Sequence, residues 1–346
     1  MKFKKIIVVG DKSMAEVPED LSAAFVKLGY EATYLHFFYS RLIHRIAWGF
    51  INTPFKFSRK IGDYIVRLIS LDINRKFVSS ILMDKPDLVV VVNGFSLSEN
   101  SLCLLKKNNI KIFNWVLDDP SRARFSHFIG TSSIYDAIFC CSKNWLNYVK
   151  LWNNNLYYLP LAVNPDKYKK VSPSDKAPDF DLAFIGTFNT NDSSSYFRYF
   201  FLDYLSKYNY KIRVAGNNVV NYFKGIKGNY ILSNKLPLAD VLNIYRNTRI
   251  IFNPYNTYNQ DVISLRVFEV ASMGVFQVVP FQGELVELFK DQIVFFEKLE
   301  DLAKKVSYYL LNSSERQKMA DLLYTEVLKN HTYLNRAETI LSSIPQ

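Results

Sequence analysis

Few residues of this sequence are suited to cross-linking the chain or to holding a metal. Among 346 residues there are 3 cysteines and 4 histidines. Cys140 and Cys141 are adjacent and end the apolar run AIFCC, while Cys103 stands alone. This spacing excludes a disulfide framework and argues against a zinc site. We expect the adjacent cysteines to be buried strand residues in a reducing compartment.

Long apolar runs are also missing. No stretch reaches the roughly 18 uncharged apolar residues of a membrane span. The opening sequence MKFKKIIVVGD has an apolar part of about five residues, shorter than the roughly 7–15 residues of a secretory signal. We therefore predict a first β-strand here, in a cytoplasmic protein that is at most peripheral on the inner face of the membrane.

Acidic residues are fewer than basic ones, 32 against 43, which gives a formal net charge of +11 and favours an anionic partner. Residues 36–77 combine many basic and aromatic residues, opposed only by Asp63 and Asp72. This stretch suits an anionic membrane surface, where each basic residue contributes about 1 kcal/mol, or it is an ordinary solvated helical face. RNA is the competing partner, but the absence of an RNP-like motif or a glycine-rich loop argues against nucleic acid.

What the sequence has in abundance is an alternation of strand and helix patterns. Continuous apolar runs such as DLVVVVNG are typical of parallel strands covered on both faces. The alternation stops in residues 163–179, which are rich in Pro, Lys, Ser and Asp, and then restarts. The predicted fold class is α/β, with two Rossmann-like, doubly wound parallel sheets in series. We place the domains at 1–170 and 178–330, with 331–346 as a C-terminal helix that packs back on the first domain.

Candidate site residues follow the predicted strands, because open parallel sheets bind ligands beyond the carboxyl ends of their strands. Asp11, Asp118 and Asp119 occupy such positions in the first half, and Gly186 and Gly216 in the second. A carboxylate there can act as a general base toward a hydroxyl group. Alternatively, the paired aspartates form a turn before a proline and Asp11 belongs to an ordinary loop. The glycines either simply end strands or let the backbone approach a ligand closely.

The segment SLRVFEVASMG, residues 264–274, is predicted to be a helix that starts at the same edge. Ser264 and the free N–H groups of the first turn could hold a diphosphate, and Arg266 would add a bidentate charge. Glu269, one turn on, could accept both hydrogen bonds of a ribose diol. The alternative is a surface ion pair between Arg266 and Glu269, worth about 0.2–0.5 kcal/mol.

Extended to SLRVFEVASMGVFQVVPFQGELVELF, this segment resembles the donor-site segment of group 1 glycosyltransferases of GT-B architecture, in the CgeB-like, spore-coat type branch. The pattern of that branch runs Arg-x-Phe-Glu, a small-residue helix, Gly and an apolar strand. Glu269 matches the second position of the family's Glu-x7-Glu motif, and Asp261 falls on the first. FDLAFIGTF and IRVAGN are similar to earlier parts of the family's second domain, and KPDLVVVVNG and FNWVLDDP to two strands of its first.

The resemblance implies a hexosyltransferase-type enzyme with an N-terminal acceptor domain and a C-terminal donor domain. The donor would be a nucleoside-diphosphate sugar, and the acceptor a glycan or lipid-linked molecule in bacterial surface polysaccharide biosynthesis. No cofactor and no obligatory metal are implied. In this family pattern Asp261 would face the sugar, the backbone around Leu236 would meet the base, and Glu287 would support the donor loop.

Two alternatives stay open. Because GTFNTND carries no Lys-Gly pair, the resemblance does not decide between retention and inversion at the sugar. A different class of function is a non-catalytic scaffold of the same fold, which binds a polyanionic or coat partner through its basic face.

Overall fold

Two compact units make up the chain, residues 1–159 with 336–346 and residues 160–335. Asp11 and nearly all of the basic stretch 36–77 lie outside the part of the chain that the structure describes. This structure, a computed structural model, describes residues 3–10, 16–36, 60–61, 74–94, 97–121, 126–170, 177–190, 192–257 and 261–343.

The first unit is built on a six-stranded parallel sheet with the order β2-β1-β3-β4-β5-β6. The strand order reverses between β1 and β3, so a ligand crevice is expected beyond the carboxyl ends of these two strands. The strands are β1 (Lys5–Gly10), β2 (Glu31–His36), β3 (Leu88–Val92), β4 (Lys111–Val116), β5 (Ala137–Cys140) and β6 (Leu156–Tyr158).

Helices connect these strands. The run Leu88–Val92 is buried at every residue, as expected for a central parallel strand covered on both faces. Ser98 begins the helix that follows it, and its Oγ accepts a hydrogen bond from the Ser101 backbone N–H at 3.3 Å. The described helical segments are Val17–Lys27, 74–84, Glu99–Lys107, Ser126–Thr131, Lys143–Val149 and Tyr333–Ser342, with a 3-10 turn at Ser132–Ile134.

The second unit repeats the architecture with a different strand order, β12-β11-β10-β7-β8-β9. Counted from its own first strand this is the Rossmann order, and the switch point lies between β7 and β10. Its strands are β7 (Phe180–Ile185), β8 (Ile212–Ala215), β9 (Tyr230–Ser233), β10 (Thr248–Phe252), β11 (Gln277–Pro280) and β12 (Val294–Phe296).

Helices cover both faces of this second sheet. On one face Leu202 and Val306 pack with Phe184, and on the other Tyr245 and Val270 pack with Ala183 and its neighbours. Successive residues of β7 therefore serve opposite cores, as the pleat of a strand requires. The helices are Ser193–Ser206, Val219–Tyr222, Leu238–Arg246, Leu265–Ser272, Gly283–Phe289, Leu299–Leu311 and Ser313–Asn330, with a 3-10 turn at Lys290–Gln292.

The prediction of an α/β fold with two doubly wound parallel sheets is confirmed. Cys140 and Cys141 are buried, and burial raises the pKa of the Cys140 thiol to about 12. Across the described ranges, no helix combines the length and the apolar character needed to cross a membrane.

Candidate active site

The helix Leu265–Ser272 begins at the carboxyl edge of the second sheet, after the switch-point strand β10. Ser264 is its N-cap residue, yet the Ser264 hydroxyl makes no capping hydrogen bond to its own helix. The Ser264 carbonyl accepts from Val267 N–H at 2.9 Å. The Ser264 hydroxyl does not cap its own helix. It is therefore available, together with the first N–H groups of the helix, to bind a ligand.

Arg266 is held in place by a chain of buried amides. Its Nη1 donates to Asn253 Oδ1 at 3.2 Å, and Asn253 Nδ2 donates to Gln277 Oε1 at 3.0 Å. Gln277 Nε2 in turn donates to the Val267 carbonyl at 2.8 Å. Asn253 and Gln277 are each 2% exposed. Because each amide is fixed by the next, the direction of the guanidinium is set by strands β10 and β11.

A second arginine, Arg198 on the helix Ser193–Ser206, reaches the same place. The guanidinium carbons of Arg198 and Arg266 lie 5.8 Å and 5.4 Å from the ring centroid of Phe184. Arg198 is 9% exposed, its Nη1 donates to the Thr187 carbonyl at 2.8 Å, and its buried Nε has no hydrogen-bond partner in the described structure. A buried donor without an acceptor marks a position where an anion would be stabilised.

The electrostatics of Arg198 agree with this interpretation. The pKa of Arg198 is lowered to about 10, mainly by burial and next by the positive charge of Arg266, while the charge of Asp192 opposes both. The two guanidinium groups therefore repel each other at close range. A bound anion beside them would offset that repulsion and raise the pKa of Arg198.

Sequence reasoning did not identify Arg198, because the pattern SYFRYFFLDYLSKY indicated only a helix. The available signal was the single basic residue of the helix Ser193–Ser206, set among aromatic residues one turn after the strand-end loop. An arginine in such surroundings is expensive to bury without a function or a partner.

Glu269 and Arg266 both lie within electrostatic reach of Tyr245. Burial raises the pKa of Tyr245; Arg266 opposes this increase, and the charge of Glu269 adds to it. Tyr245 is 1% exposed, and both charged residues are partly buried. They therefore face the packed side of their helix, which does not fit a solvated surface pair. Gly274, at φ +64°, then ends the helix.

The two predicted glycines are packed against each other. A Cβ on Gly216, which has φ +139°, would lie 1.8 Å from the Gly186 carbonyl oxygen. A Cβ on Gly186 would lie 2.4 Å from the ring of Phe184. Gly186 N–H donates to the Ala215 carbonyl at 2.9 Å. Gly216 therefore has to be glycine for the adjacent strand ends to meet, and Gly186 leaves room for the ring of Phe184.

The remaining predicted donor residues are spread along the same unit. Asp261 is partly exposed and lies three residues before Ser264. Leu236 is partly buried against the cluster that contains Ala183, Ala215 and Tyr245, so its side chain serves packing. Glu287 is exposed on the helix Gly283–Phe289.

In the first unit, Asp118 and Asp119 follow strand β4 and have different surroundings. Asp118 Oδ2 accepts from Asn93 Nδ2 at 3.0 Å, while Asn93 Oδ1 accepts from the backbone N–H of Leu117 at 2.7 Å. Asp119 Oδ1 accepts from both N–H and Oγ of Ser121, at 2.9 Å and 2.7 Å. Asp119 thus forms a local turn, whereas Asp118 is tied to the switch-point strand β3. Asp11 lies outside the described residues.

A metal site was not expected from the sequence. Within the described ranges, no group of three His, Cys, Asp or Glu side chains is arranged to hold a metal ion.

The chain is similar in sequence and in fold to known proteins. Residues 198–342 match the Glycosyl transferase-like family. Among solved structures, the chain is similar to sucrose-phosphate synthase from Thermosynechococcus elongatus, with a TM-score of 0.69 and 10% identity over 98% of each chain. Anabaena HepE in complex with UDP-glucose gives a TM-score of 0.66 and 12% identity, covering 99% of this chain and 100% of that one. The chain thus has the fold of solved glycosyltransferases, and its second half is similar to the Glycosyl transferase-like family.

A curated relative is similar to most of the chain. The chain is 24% identical over 265 residues to spore protein CgeB of Bacillus subtilis (strain 168), which covers 72% of this chain and 80% of that protein. The resemblance to the CgeB-like branch, seen first in the segment 264–289, is confirmed, and with it the expectation of a transferase enzyme.

Proposed function

We propose that this enzyme transfers a sugar from a nucleoside-diphosphate donor, and that Arg198 and Arg266 bind the diphosphate. The observation that carries the proposal is the convergence of these two guanidinium groups on Phe184, with Arg198 Nε buried and unpartnered. Both come from helices at the switch-point edge of the second sheet, where ligands bind in doubly wound folds.

The leaving group of such a reaction is a nucleoside diphosphate, which gains negative charge as the bond to the sugar breaks. Arginine forks match phosphate oxygens, and the uncapped helix at Ser264 offers further N–H donors and a partial positive charge. Fixed positive groups at the developing charge are worth several kcal/mol of transition-state stabilisation. Two arginines in this role support a reaction that does not depend on a metal.

The other donor contacts follow from the order of residues along this edge. Glu269, one turn beyond Arg266, accepts hydrogen bonds from the ribose diol, and Asp261 faces the sugar. The backbone near Leu236 meets the base, the Gly186–Gly216 contact shapes the floor, and Glu287 supports the donor loop. These assignments extend the family pattern to this chain.

For the acceptor side, we propose that Asp118 is the general base. Asn93 fixes its carboxylate at the switch point of the first sheet, at 3.0 Å. The acceptor oxygen would form its bond to the anomeric carbon, the bond to the diphosphate would break, and the hydroxyl proton would pass to the carboxylate. Asp119, already bonded to Ser121, and Asp11 are the other candidates.

The acceptor is proposed to be a glycan or a lipid-linked sugar in bacterial surface polysaccharide assembly, handled in the cytoplasm at the membrane surface. The basic composition of residues 36–77 supports this setting. Pelleting of the protein with anionic vesicles at low salt, and its release at high salt, is the expected behaviour. Failure to pellet would remove the membrane from the proposal and leave the donor site unaffected.

The donor assignment is tested by thermal shift with UDP, GDP, dTDP, CMP and ADP. The complex of HepE with UDP-glucose supports UDP as the first nucleotide to try. At 100 times its dissociation constant a nucleotide stabilises the folded state by about 2.7 kcal/mol, which is readily measured. We expect one nucleotide to shift the wild type and Glu300→Ala, an exposed control, but to shift Glu269→Ala far less.

The scaffold alternative predicts a different pattern. A protein that no nucleotide stabilises, and that binds polyanions with a steep dependence on salt, would be such a scaffold. Hydrolysis of a nucleotide sugar that is lost in Glu269→Ala would exclude it.

A further inference from the structure

A cavity of about 440 Å³ opens at the carboxyl edge of the sheet in the second unit. It lies where strands β10, β11 and β12 end and where the helix Ser193–Ser206 crosses them. Its volume is within the roughly 300–1,000 Å³ usual for small-molecule sites. The residues that shape it are Phe197, Phe201, Tyr255, Phe281, Phe296 and Glu297.

The aromatic rings of this cavity form walls rather than a stack. Phe197 and Phe201 meet at 89° with centroids 4.7 Å apart, and Phe201 and Phe296 meet at 73° with centroids 5.2 Å apart. Tyr255 lies beside Phe197 at 5.2 Å and 30°. Rings at steep angles present both faces and edges to one open cavity, so a guest would meet several π-systems at once.

Exposure distinguishes the floor from the rim. Phe201 and Phe296 are buried at the floor, with Phe296 2% exposed. Phe281 at the rim is 46% exposed, although a large aromatic side chain gains by burial. The cavity is therefore lined by ring surface that the fold itself does not cover.

Glu297 supplies the single charge among the residues that line the cavity. Its side chain is exposed, and within the described structure its carboxylate has no ion pair or hydrogen bond. On the following helix, Lys305 Nζ donates to Asp301 at 2.8 Å and to the Phe295 carbonyl at 2.6 Å. A carboxylate therefore stands at the mouth of the aromatic cavity.

We propose that this cavity binds an alkylated ammonium group, of the trimethylammonium type found in choline. Ring faces attract such cations through their quadrupoles. The methyl groups are apolar and weakly hydrated, so they can enter the aromatic cavity. Glu297 neutralises the charge from the rim. An uncharged acyl chain would fill the same rings but would leave the carboxylate unused beside an apolar guest.

This site is separate from the diphosphate site and does not depend on it. Phe197 faces the aromatic cavity, while Arg198, the next residue, faces Phe184. Likewise Asn253 holds Arg266, while Tyr255, two residues on, lines the cavity. The same helix and the same loop thus serve both sites.

The test is isothermal titration of the full chain with choline and with 3,3-dimethylbutan-1-ol, a neutral molecule of the same shape. Cation–π attraction plus a carboxylate corresponds to a preference on the order of tenfold for choline in the wild type. Glu297→Gln should abolish that preference while Glu300→Gln, an exposed control on the adjacent helix, keeps it. Phe281→Ala should weaken both probes. All three positions are exposed, so the variants should fold as the wild type does.

Several results would overturn the proposal. Equal affinity for the two probes would make the cavity a plain apolar pocket, and absence of binding would remove it as a site. A choline preference that survives in Glu297→Gln, or binding unchanged in Phe281→Ala, would place the cation elsewhere. Titration with UDP in parallel keeps this outcome distinct from that of the donor site.

Discussion

Arg198 and Arg266 approach the ring of Phe184 to 5.8 Å and 5.4 Å although they belong to different helices. Burial of Arg198, and next to it the like charge of Arg266, cost free energy in the unliganded protein, and the lowered pKa of Arg198 reflects that cost. In the proposed function, the bound diphosphate would offset this cost, so the electrostatics of the unliganded site would favour binding of the diphosphate.

Replacing Arg198 should separate ligand binding from stability. In Arg198→Met, nucleotide affinity should fall by roughly 10- to 150-fold, because a charge-assisted hydrogen bond contributes about 1.5–3 kcal/mol. The unliganded variant should keep its stability to within about 1 kcal/mol, since the lost bond to the Thr187 carbonyl is offset by removal of a buried charge. Titration calorimetry and thermal melting measure the two effects. Arg246→Gln, exposed at the opposite end of the sheet, is the control and should bind normally.

The two adjacent aspartates of the first unit should differ in their effect on turnover. Asp118→Asn should lower kcat by about 10²–10⁴-fold, the usual contribution of a general base, while leaving nucleotide affinity unchanged. Asp119→Asn should lower activity much less, because that side chain already accepts two bonds from Ser121. Equal effects in both variants, measured by release of the nucleoside diphosphate, would contradict the assignment of Asp118.

Two glycines of the second unit provide a matched test of backbone packing. Gly216→Ala should destabilise the protein by several kcal/mol or prevent folding, because its Cβ would meet the Gly186 carbonyl at 1.8 Å and its φ is +139°. Gly283→Ala meets nothing within 4 Å at the start of a helix, and should stabilise by about 0.4–1 kcal/mol. Denaturant titration followed by circular dichroism compares them.

Acid should selectively weaken the first unit through Asp136. Burial alone would raise the pKa of Asp136, but Lys106, the Ile112 N–H and Lys111 more than offset it, so the pKa lies below 3.8. Its stabilising contribution is therefore present above the unfolded value of 3.8 and is lost as the pH falls through the lower folded value. Asp136→Asn should cost about 1–2 kcal/mol at neutral pH, and the difference from wild type should shrink in acid.

Tryptophan fluorescence makes this measurement specific. All 4 tryptophans, at positions 48, 115, 145 and 152, belong to the first unit. Trp115 is fully buried, and its indole N–H donates to the Leu159 carbonyl at 2.9 Å. A gap between wild type and variant that widens in acid would show that Asp136 is protonated in the native state.

Much of the fold could be predicted from periodicity. The continuous apolar runs around Leu88–Val92 and Thr248–Phe252 became central parallel strands, because only a strand covered on both faces buries such a run. Strand order could not be predicted, since it depends on how crossovers pack around the whole sheet. For that reason the different switch points, between β1 and β3 and between β7 and β10, emerged only from the structure.

The candidate site was predictable only where its residues are close in sequence. Ser264, Arg266 and Glu269 share one helix, so their spacing alone suggested a ligand-binding terminus. Tertiary packing brings Arg198 and the amides Asn253 and Gln277 to Arg266. No local sequence pattern predicts these contacts. The aromatic cavity is of the same kind, because its rings come from one helix and three strand ends.

The first unit is made of two segments that are far apart in the chain, and this affects how it folds during synthesis on the ribosome. Residues 336–343 complete that unit, and Tyr157 Oη donates to the Ser343 carbonyl at 3.0 Å. At typical translation speeds the intervening residues take roughly 10 to 35 s to emerge, so the first half of the chain waits that long for its last helix. Residues 160–335 form an uninterrupted segment and can fold as they leave the tunnel. The unit that begins later in the sequence is thus the one able to reach its native state first.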